Sequence, residues 1–363
     1  MSLMAKLQKN STIKDAEILS KSTIFNKKDV ITTPVPALNI ALSGKLDGGL
    51  TSGLTTIAGV SKNFKTGFSL ILAKSFLDKY SDGVVLFYDS EFGSPQAYFK
   101  TFGIDLDKIL HVPITDIEQL KFDIMNQLNN IERNENVMII VDSISSIASK
   151  KEVDDALDEK SVADLTRSRQ LKSLFRMVTP HLTIKNIPMV IISHVYQTME
   201  FISKTVVSSG KGAEYSSDTI LIIGRQQEKE GTELSGYNFI INIEKSRFVR
   251  EKSKIPISIS FEHGIQKYSG LLDIAIEGKF VEKGRVGKSL GFAKIDRKTG
   301  EIGEFVKLNK ALSDEFWIDI INDSDFKEYI KKRYEISYGS ILQNNPTEEN
   351  LEDVDEDSEW KII

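Results

Sequence analysis

The stretch that decides the fold is "LTTIAGVSKNFKT", residues 54–66, in which a short apolar run leads into a polar loop. The loop "GVSKNFKT" nearly matches the phosphate-binding pattern G-x-x-x-x-G-K-[ST], but Phe64 occupies the position of the second glycine. In such a loop the backbone N–H groups surround the phosphates, Lys65 reaches the β- and γ-phosphates, and Thr66 offers its hydroxyl to Mg²⁺. A residue other than glycine costs roughly 1–2 kcal/mol at a positive φ, so Phe64 either strains the loop or shifts its path.

The composition is that of an ordinary folded protein of 363 residues, with 40% hydrophobic and 27% charged side chains. A chain of this length suggests one large domain with appendages. It contains no cysteine, which excludes a disulfide framework, a thiolate zinc site and a cysteine nucleophile. No apolar segment approaches the roughly 18 residues of a membrane span, so we expect no membrane partner and a cytoplasmic location.

The charge is unevenly distributed along the chain. Residues 346–363 hold eight acidic side chains and one lysine, a net charge of −7, and removing them from the total of −5 leaves the rest at +2. A mildly basic body with an acidic tail is compatible with a nucleic-acid-binding protein whose tail competes for the basic surface. A disordered tail that merely aids solubility is the alternative.

Short apolar, β-branched runs alternate with longer amphipathic segments through the first two thirds of the chain. The runs are "LTTIA" (54–58), "VVLFY" (84–88), "VMIIV" (137–141), "MVIIS" (189–193), "TILIIG" (219–224), "FIINIE" (239–244) and "ISISF" (257–261). Such runs predict buried strands of a largely parallel sheet with helices on both faces. Residues 118–132 and 161–181 have the pattern of crossover helices. The prediction is a doubly wound α/β fold whose last strands are antiparallel.

The composition also divides the chain into regions. We predict an N-terminal arm (1–31), an α/β core (32–269), a small α+β C-terminal domain (270–345) and an acidic, disordered tail (346–363). Residues 279–310 carry nine Lys or Arg against four acids and include "KIDRKTGEIGEF", a hairpin signal with Thr299 and Gly300 at its turn. The C-terminal domain is therefore expected to have a basic face.

Two of the apolar runs end in acidic residues. Asp142 follows "VMIIV", where beside a phosphate loop it can hold the hydration shell of Mg²⁺ or can simply cap a following helix. Asp89 and Glu91 follow "VVLFY", and ATP hydrolysis needs a carboxylate that orients and deprotonates the attacking water. Either of these two acids could instead cap the next turn.

These three stretches together resemble the RecA family of DNA strand-exchange recombinases and, within it, the phage UvsX-type recombinases. The similarity extends to "PVPALNIALSGKLDGGLTSGLTTIAG" (34–59) and "YDSEFGSPQAYFKTFGIDLDKIL" (88–110). In UvsX-type proteins the loop likewise has F-K rather than G-K, so the resemblance implies that Phe64 belongs to a working variant. It also implies a RecA-like P-loop ATPase core that uses ATP and Mg²⁺.

The resemblance assigns roles within the nucleotide site. Glu91 activates water, and Tyr98, otherwise an ordinary half-buried helix residue, stacks on adenine. His194 in "VIISHVYQ" stands where the family senses the γ-phosphate; bacterial members usually have Gln there, and an exposed or capping His is the alternative. The implied catalytic residues are Glu91, Lys65 and His194; Thr66 and Asp142 are the metal residues; the nucleotide-binding residues are Gly59, Ser61, Lys62, Asn63, Phe64, Lys65, Thr66, Tyr98, Lys245 and Arg247.

Lys245 and Arg247 belong to the basic run "IEKSRFVREKSK" (243–254). In the family, basic residues at this place reach the ATP bound by the neighbouring subunit and stabilise the developing negative charge. The resemblance thus implies that ATP binding and filament assembly are coupled. A basic strand edge that prevents aggregation is the alternative.

Two segments resemble the DNA-binding loops of the family. The first, "SSIASKKEVDDALDEKSVADLTRSRQ" (145–170), offers Arg167 and Arg169 to phosphates. The second, "MEFISKTVVSSGKGAEY" (199–215), has no strong secondary-structure signal and reads as a functional or disordered loop. Its candidate DNA contacts are Lys204 and Lys211 for phosphates, and Met199 and Phe201 for insertion between bases. A solvated connection is the alternative.

The sequence therefore predicts an ATP-dependent recombinase that forms a helical filament on single-stranded DNA and exchanges strands with duplex DNA. Its arm, with Ile24 and Phe25, would link subunits, and mediator and single-strand-binding proteins would assist it. One alternative is a non-hydrolysing recombination mediator or paralogue, for which Phe64 is the only support. The other, a RecA-fold hexameric helicase, would usually have a separate helical N-terminal domain, for which thirty residues leave no room.

Overall fold

The computed structural model describes residues 2–13, 16–22, 29–133, 135–158, 165–198, 204–230 and 233–336. Its centre is a nine-stranded sheet in the order β11-β10-β9-β8-β1-β5-β4-β2-β3. In chain order the strands are β1 (Gly53–Gly59), β2 (Val84–Asp89), β3 (Ile109–Pro113), β4 (Val137–Asp142), β5 (Pro188–Ser193), β6 (Val195–Gln197), β7 (Thr205–Val207), β8 (Thr219–Glu230), β9 (Glu233–Ser246), β10 (Lys254–Ser260), β11 (Gly264–Ile265), β12 (Val281–Val286), β13 (Ser289–Lys294) and β14 (Val306–Lys307). The helices are α1 (Leu3–Asn10), α2 (Pro36–Ser43), α3 (Lys65–Lys79), α4 (Gln96–Thr101), α5 (Ile117–Asn130), α6 (Lys150–Leu157), α7 (Thr166–Ile184), α8 (Gly210–Ser216), α9 (Leu271–Glu277), α10 (Leu308–Ala311), α11 (Asp314–Asn322) and α12 (Ser324–Tyr334).

The sheet is parallel from β8 through β1, β5, β4 and β2 to β3, and antiparallel from β8 to β11. The prediction of a largely parallel α/β sheet with an antiparallel end is therefore confirmed. Every predicted run lies on a strand, although Phe261 falls just beyond β10. Strand β3 was missed because it lies at the edge of the sheet and is only half buried, so its sequence lacks a continuous apolar run.

Alternate residues of the central strands belong to two separate hydrophobic clusters. On β2, Val85 and Phe87 belong to one cluster, and Leu86 and Tyr88 belong to the other. Helix α3 contributes to the first cluster, while α5 and α7 contribute to the second. Because successive strand residues point to opposite faces, the central strands are covered on both sides, which is why their sequences are apolar throughout.

Strands β1, β2, β4 and β5 end at the same edge of the sheet, because they are parallel and in register. In open α/β sheets, ligands bind in the crevice outside the carboxyl ends of the strands. The fold thus assembles the phosphate loop after β1, the acids after β2 and β4, and His194 after β5 at one edge.

The C-terminal part forms a three-stranded sheet, β12-β13-β14, with helices α9 to α12. Its buried Trp317 and Phe326 belong to the same hydrophobic cluster as α3. The predicted turn is present, since Gly300 has a φ of 74° and Ile295 pairs with Ile302 across it. The domain boundaries themselves stay a prediction, and the acidic tail lies outside the described residues.

The prediction that residues 199–215 lack regular structure is wrong for the described residues 204–215. β7 pairs with β6 in an antiparallel hairpin, and α8 follows directly. The sequence concealed both elements, because a strand of three residues and a helix of seven are too short to show a period. Ile24 and Phe25 lie outside the described residues, and no described helix is both long and apolar enough to cross a membrane.

Candidate active site

Phe64 adopts the backbone conformation that the missing glycine would have. Its φ of 56° and ψ of 24° are left-handed, and α3 begins with the next residue. The ring packs among Phe68, Phe102 and Phe239, with centroids 5.5, 6.2 and 5.6 Å away. A Cβ on Gly67 would lie 2.4 Å from this ring, so the glycine leaves the space that the ring fills. The backbone at Phe64 is therefore strained, and the aromatic packing offsets the strain.

The remaining loop residues are attached to the neighbouring strand β8. Asn63 is buried and donates from Nδ2 to the Ile223 carbonyl at 2.6 Å. The carbonyl of Lys62, whose φ is 65°, accepts a hydrogen bond from Arg225 at 3.0 Å. A Cβ on Gly59 would lie 2.9 Å from the same Ile223 carbonyl oxygen. These contacts hold the loop against β8. The side chains of Ser61 and Lys62 are exposed.

Lys65, Thr66 and Asp142 form the inner part of the site. Lys65 is buried, and its Nζ donates to the Val60 carbonyl of the loop at 3.0 Å. Burial lowers its pKa below the ordinary value, although Glu91 and Asp142 act in the opposite direction. The Thr66 hydroxyl donates to Asp142 Oδ2 at 2.7 Å, which joins the start of α3 to the end of β4.

Asp142 has the features of a metal-shell carboxylate. It is buried, its Oδ1 has no hydrogen-bond partner among the residues that the structure describes, and burial raises its pKa to about 6. The alternative of helix capping does not fit, because the next helix, α6, is capped by Ser149. Among the described residues no group of three His, Asp or Glu could hold a metal alone. Mg²⁺ typically takes only one or two carboxylates and completes its shell with water and phosphate, so the residues fit this ion.

Glu91 lies at the outer part of the site, where three side chains donate to its Oε1. The donors are Ser143 at 2.6 Å, Ser146 at 3.0 Å and His194 Nε2 at 3.0 Å. Burial alone would raise the pKa of Glu91, but these three hydrogen bonds outweigh it and hold the pKa below the ordinary value. Sequence reasoning missed the two serines; the signal was the polar "SISS" directly after β4.

The carboxylate of Asp89, the alternative base, accepts hydrogen bonds from the backbone. Its Oδ1 accepts the N–H groups of Glu91 at 3.0 Å and Phe92 at 2.8 Å, and its Oδ2 lies 3.1 Å from His111 Nε2. It is also buried. Asp89 therefore shapes the turn that presents Glu91.

His194 joins the site to both predicted DNA loops. Its N–H donates to Ser145 Oγ at 2.8 Å, and its carbonyl accepts from the Ser208 N–H at 2.9 Å. The hydroxyls of Ser145 and Ser208 are themselves 2.6 Å apart, and that of Ser193 lies 3.0 Å from Ser145. A cluster of serine hydroxyls thus connects the first loop, the end of β5 and the base of the second loop.

The structure gives the two candidate arginines of the first loop different environments. Arg167 is half-buried and donates to the carbonyls of Ile144, Ser145 and Ile147 at 3.1, 3.0 and 2.9 Å. Burial lowers its pKa. This differs from the exposed phosphate contact expected, since the guanidinium fastens the loop to α7. Arg169 is exposed.

Lys245 and Arg247 are far from the phosphate loop of their own subunit. The register places Lys245 opposite Ile220, while the end of β1 at Gly59 lies opposite Ile223. Three residues correspond to about 10 Å along the sheet, and β8 also separates the two strands. Lys245 Nζ donates to the Glu214 carbonyl at 2.7 Å, at the end of α8.

The remaining predicted site residues are the adenine-stacking candidate and the DNA-contact candidates of the second loop. Tyr98 is half-buried on α4 and packs edge-on against Phe102, a neighbour of Phe64, with centroids 5.2 Å apart. Lys204 and Lys211 are exposed and line a groove of about 440 Å³ that also contains Lys245. Met199 and Phe201 lie outside the described residues.

Comparison with known proteins agrees with this architecture. The family described as RecA N-terminal domain matches residues 4–266, and that described as Bacteriophage T4, Recombination and repair protein, C-terminal domain matches residues 268–330. The "Recombination and repair protein" of Enterobacteria phage T4 is 45% identical over 357 residues, 97% of this chain and 90% of that protein. "Protein RecA" of Mycoplasma mycoides is 26% identical over 59% of this chain and 61% of its own length. "Protein RecA" of Clostridioides difficile (strain 630) is 23% identical over 85% of each chain. The chain therefore belongs to the RecA family, and within it is a DNA-dependent ATPase that acts as a recombinase.

Proposed function

We propose that this recombinase binds ATP with Mg²⁺ and cleaves the γ-phosphate at the carboxyl edge of its parallel sheet. The observation that carries the proposal is the convergence of the phosphate loop, Asp142 and Glu91 on that edge, where the Thr66 hydroxyl bonds Asp142 directly. A phosphate loop, a strand-end aspartate and a base that positions water are the recurring parts of such sites.

The inner residues bind the nucleotide. Lys65 leaves the Val60 carbonyl and places its ammonium on the phosphates, where a partly desolvated cation attracts them strongly. Thr66 and Asp142 would hold Mg²⁺, for which the Oδ1 of Asp142, unpaired among the described residues, is available. When bound, Mg²⁺ neutralises charge on the phosphate oxygens. Tyr98 stacks on the adenine.

Glu91 orients and deprotonates the attacking water. A glutamate is already ionised at neutral pH, as a base must be, and the hydrogen bonds of Glu91 hold its pKa below the ordinary value. Ser143, Ser146 and His194 all bond Oε1, and within the described residues Oε2 has no hydrogen-bond partner, so Oε2 is the oxygen that takes the proton. His194 also senses whether the γ-phosphate is present.

DNA binds across the two loops beside the serine cluster. Arg169, Lys204 and Lys211 are exposed cations that suit backbone phosphates, while Arg167 keeps the first loop folded. Met199 and Phe201 insert between bases, as apolar groups do in other single-strand binders. The protein coats single-stranded DNA as a helical filament, takes up duplex DNA and exchanges strands, with mediator and single-strand-binding proteins in the host cytoplasm.

Lys245 and Arg247 complete the nucleotide site of the neighbouring subunit. They lie too far from their own phosphate loop to serve it, and both are on the outer part of β9 and its continuation. In a head-to-tail filament such residues meet the next subunit's phosphates. There they stabilise the charge that develops during phosphoryl transfer.

The test is ATP hydrolysis by the wild type, Lys65→Ala and the control Asp78→Asn, each with and without single-stranded DNA. Asp78 lies on the same helix as Lys65 but pairs with Lys74 on the exposed side. We expect strong DNA stimulation in the wild type and control, and its loss in Lys65→Ala. A wild type that binds ATP without hydrolysing it would instead indicate the non-hydrolysing mediator.

A further inference from the structure

Asp218, which precedes β8, holds the Arg247 guanidinium. Asp218 Oδ1 lies 2.6 Å from Arg247 Nε, and the Asp218 side chain is 11% exposed against 63% for Arg247. The backbones of the two residues are also hydrogen-bonded, since the Arg247 N–H donates to the Asp218 carbonyl at 3.1 Å. Arg247 is therefore an outward-pointing side chain with a buried, charged anchor at its base.

The anchor is itself attached to the central sheet. The Asp218 N–H donates to the Leu54 carbonyl of β1 at 2.8 Å. Gly53, with a φ of 110°, lies directly beneath the carboxylate, and a Cβ there would come within 1.9 Å of Asp218 Oδ2. The glycine leaves room for the Asp218 carboxylate. The Asp218–Arg247 pair is therefore anchored to the start of β1.

Asp218 also affects the pKa of the second outward cation, Lys245. Burial lowers the pKa of Lys245, the nearby Arg247 lowers it further, and Asp218 acts in the opposite direction. Neighbouring like charges repel each other, whereas a nearby carboxylate favours the charged form of a lysine. Lys245 is held in addition by the carbonyls of Glu214 and Tyr215.

We propose that Asp218 is a positioning residue for ATP hydrolysis in the neighbouring subunit: it holds the Arg247 guanidinium in the orientation that meets the neighbour's phosphates. The inference rests on the proposed trans role of Arg247. A displaced catalytic cation costs on the order of tenfold to a hundredfold in rate.

The experiment compares the DNA-stimulated kcat of Asp218→Asn, Arg247→Ala, the double variant and the control Asp78→Asn. We expect Asp218→Asn to be slower by about tenfold or more, the double variant to match Arg247→Ala, and the control to match the wild type. Equal rates for Asp218→Asn and the wild type, with Arg247→Ala slow, would overturn the inference. A wild-type rate for Arg247→Ala would instead refute the trans role itself.

Filaments that mix two variants distinguish a loss of Arg247 positioning from a general loss of activity in the Asp218→Asn subunit. Asp218→Asn subunits keep their own Glu91, and Glu91→Gln subunits keep a correctly held Arg247. Head-to-tail mixing at equal amounts should therefore restore activity at about a quarter of the interfaces, whereas each variant alone is slow. No gain on mixing would contradict the proposal.

Arg247→Lys keeps the test decisive if Asp218→Asn folds poorly. The substitution is on an exposed side chain and retains the charge, but it removes the Nε–H that Asp218 binds. We expect it to be as slow as Arg247→Ala. A wild-type rate would show that the orientation set by Asp218 is irrelevant.

Discussion

The residues that we propose for a subunit's own nucleotide site and those that we propose to face the neighbour are held in different ways. Lys65 and Asp142 are buried, and Thr66 bonds Asp142 inside the same crevice. Lys245 is on β9 and Arg247 directly follows it; α8 contacts the charged end of Lys245, and Asp218 contacts that of Arg247. The first group is organised by the fold of one subunit. In the proposed function, the second group would become part of a site only on assembly. This difference provides a physical basis for coupling ATP hydrolysis to the filament.

Among the residues proposed to serve their own subunit, Glu91 should show the largest effect on kcat when it is replaced by Gln. The amide cannot accept a proton from water at neutral pH, so we expect kcat to fall by about 10²- to 10⁴-fold. ATP binding should persist, because Lys65 and Thr66 are untouched. DNA-stimulated ATPase measured beside equilibrium nucleotide binding tests this. Loss of binding in parallel with rate would mean that Glu91 only supports the crevice.

Lys245→Ala and Lys211→Ala separate the outward catalytic cations from the DNA-binding ones. Lys245 is half-buried at the end of α8, whereas Lys211 is an exposed side chain paired with Glu214 at the start of the same helix. We expect Lys245→Ala to lower the DNA-stimulated kcat by about tenfold or more. Lys211→Ala should leave kcat at saturating DNA unchanged and reduce the salt slope of DNA binding by about one.

If both lysine variants changed only DNA affinity, Lys245 would belong to the DNA groove rather than to the neighbour's nucleotide site. ATPase rates across a DNA titration at several salt concentrations distinguish the two results.

Asp142→Asn should stabilise the metal-free subunit while abolishing hydrolysis. The pKa of Asp142 is raised from 3.8 to about 6 by burial, so keeping it ionised costs folding free energy above pH 6. Asn should therefore raise the free energy of unfolding by about 1–3 kcal/mol at pH 8. The gain should shrink as pH falls from about 6 to about 4, because the carboxyl is then neutral in both states. Urea unfolding in EDTA at several pH values tests it; a gain independent of pH would refute the electrostatic cause.

The smallest expected effect is the difference in the free energy of unfolding between Phe64→Gly and Phe64→Ala. Both lose the ring that packs on Phe68 and Phe239, at a cost below that of a fully buried Phe. Glycine, however, adopts the φ of 56° without strain. We expect Phe64→Gly to be the more stable by on the order of 1 kcal/mol, measured by urea unfolding. Equal stability would mean that the loop leaves the left-handed conformation when the ring is removed.

Much of the fold and of the inner site could be predicted from local sequence. Continuous apolar runs identify strands buried on both faces, and the carboxyl ends of parallel strands must meet at one edge, which brings Asp142 and Glu91 to the phosphate loop. The half-exposed β3 and the short β7 gave no comparable signal. The polar "SISS" that contains Ser143 and Ser146 was an ambiguous signal, because a serine after a strand is typical of ordinary turns as well.

The sequence by itself determined the α/β class, the phosphate loop with its unusual Phe64, and the identity of the acids at the strand ends, since each depends on neighbours within a few positions. The tertiary structure decided what those side chains do. Arg167 fastens its loop, Asp89 shapes a turn, and Asp218 holds Arg247. Long polar side chains take their hydrogen-bond partners from distant segments, because a buried donor or acceptor must be satisfied by whatever the fold brings beside it, and no local pattern records that choice.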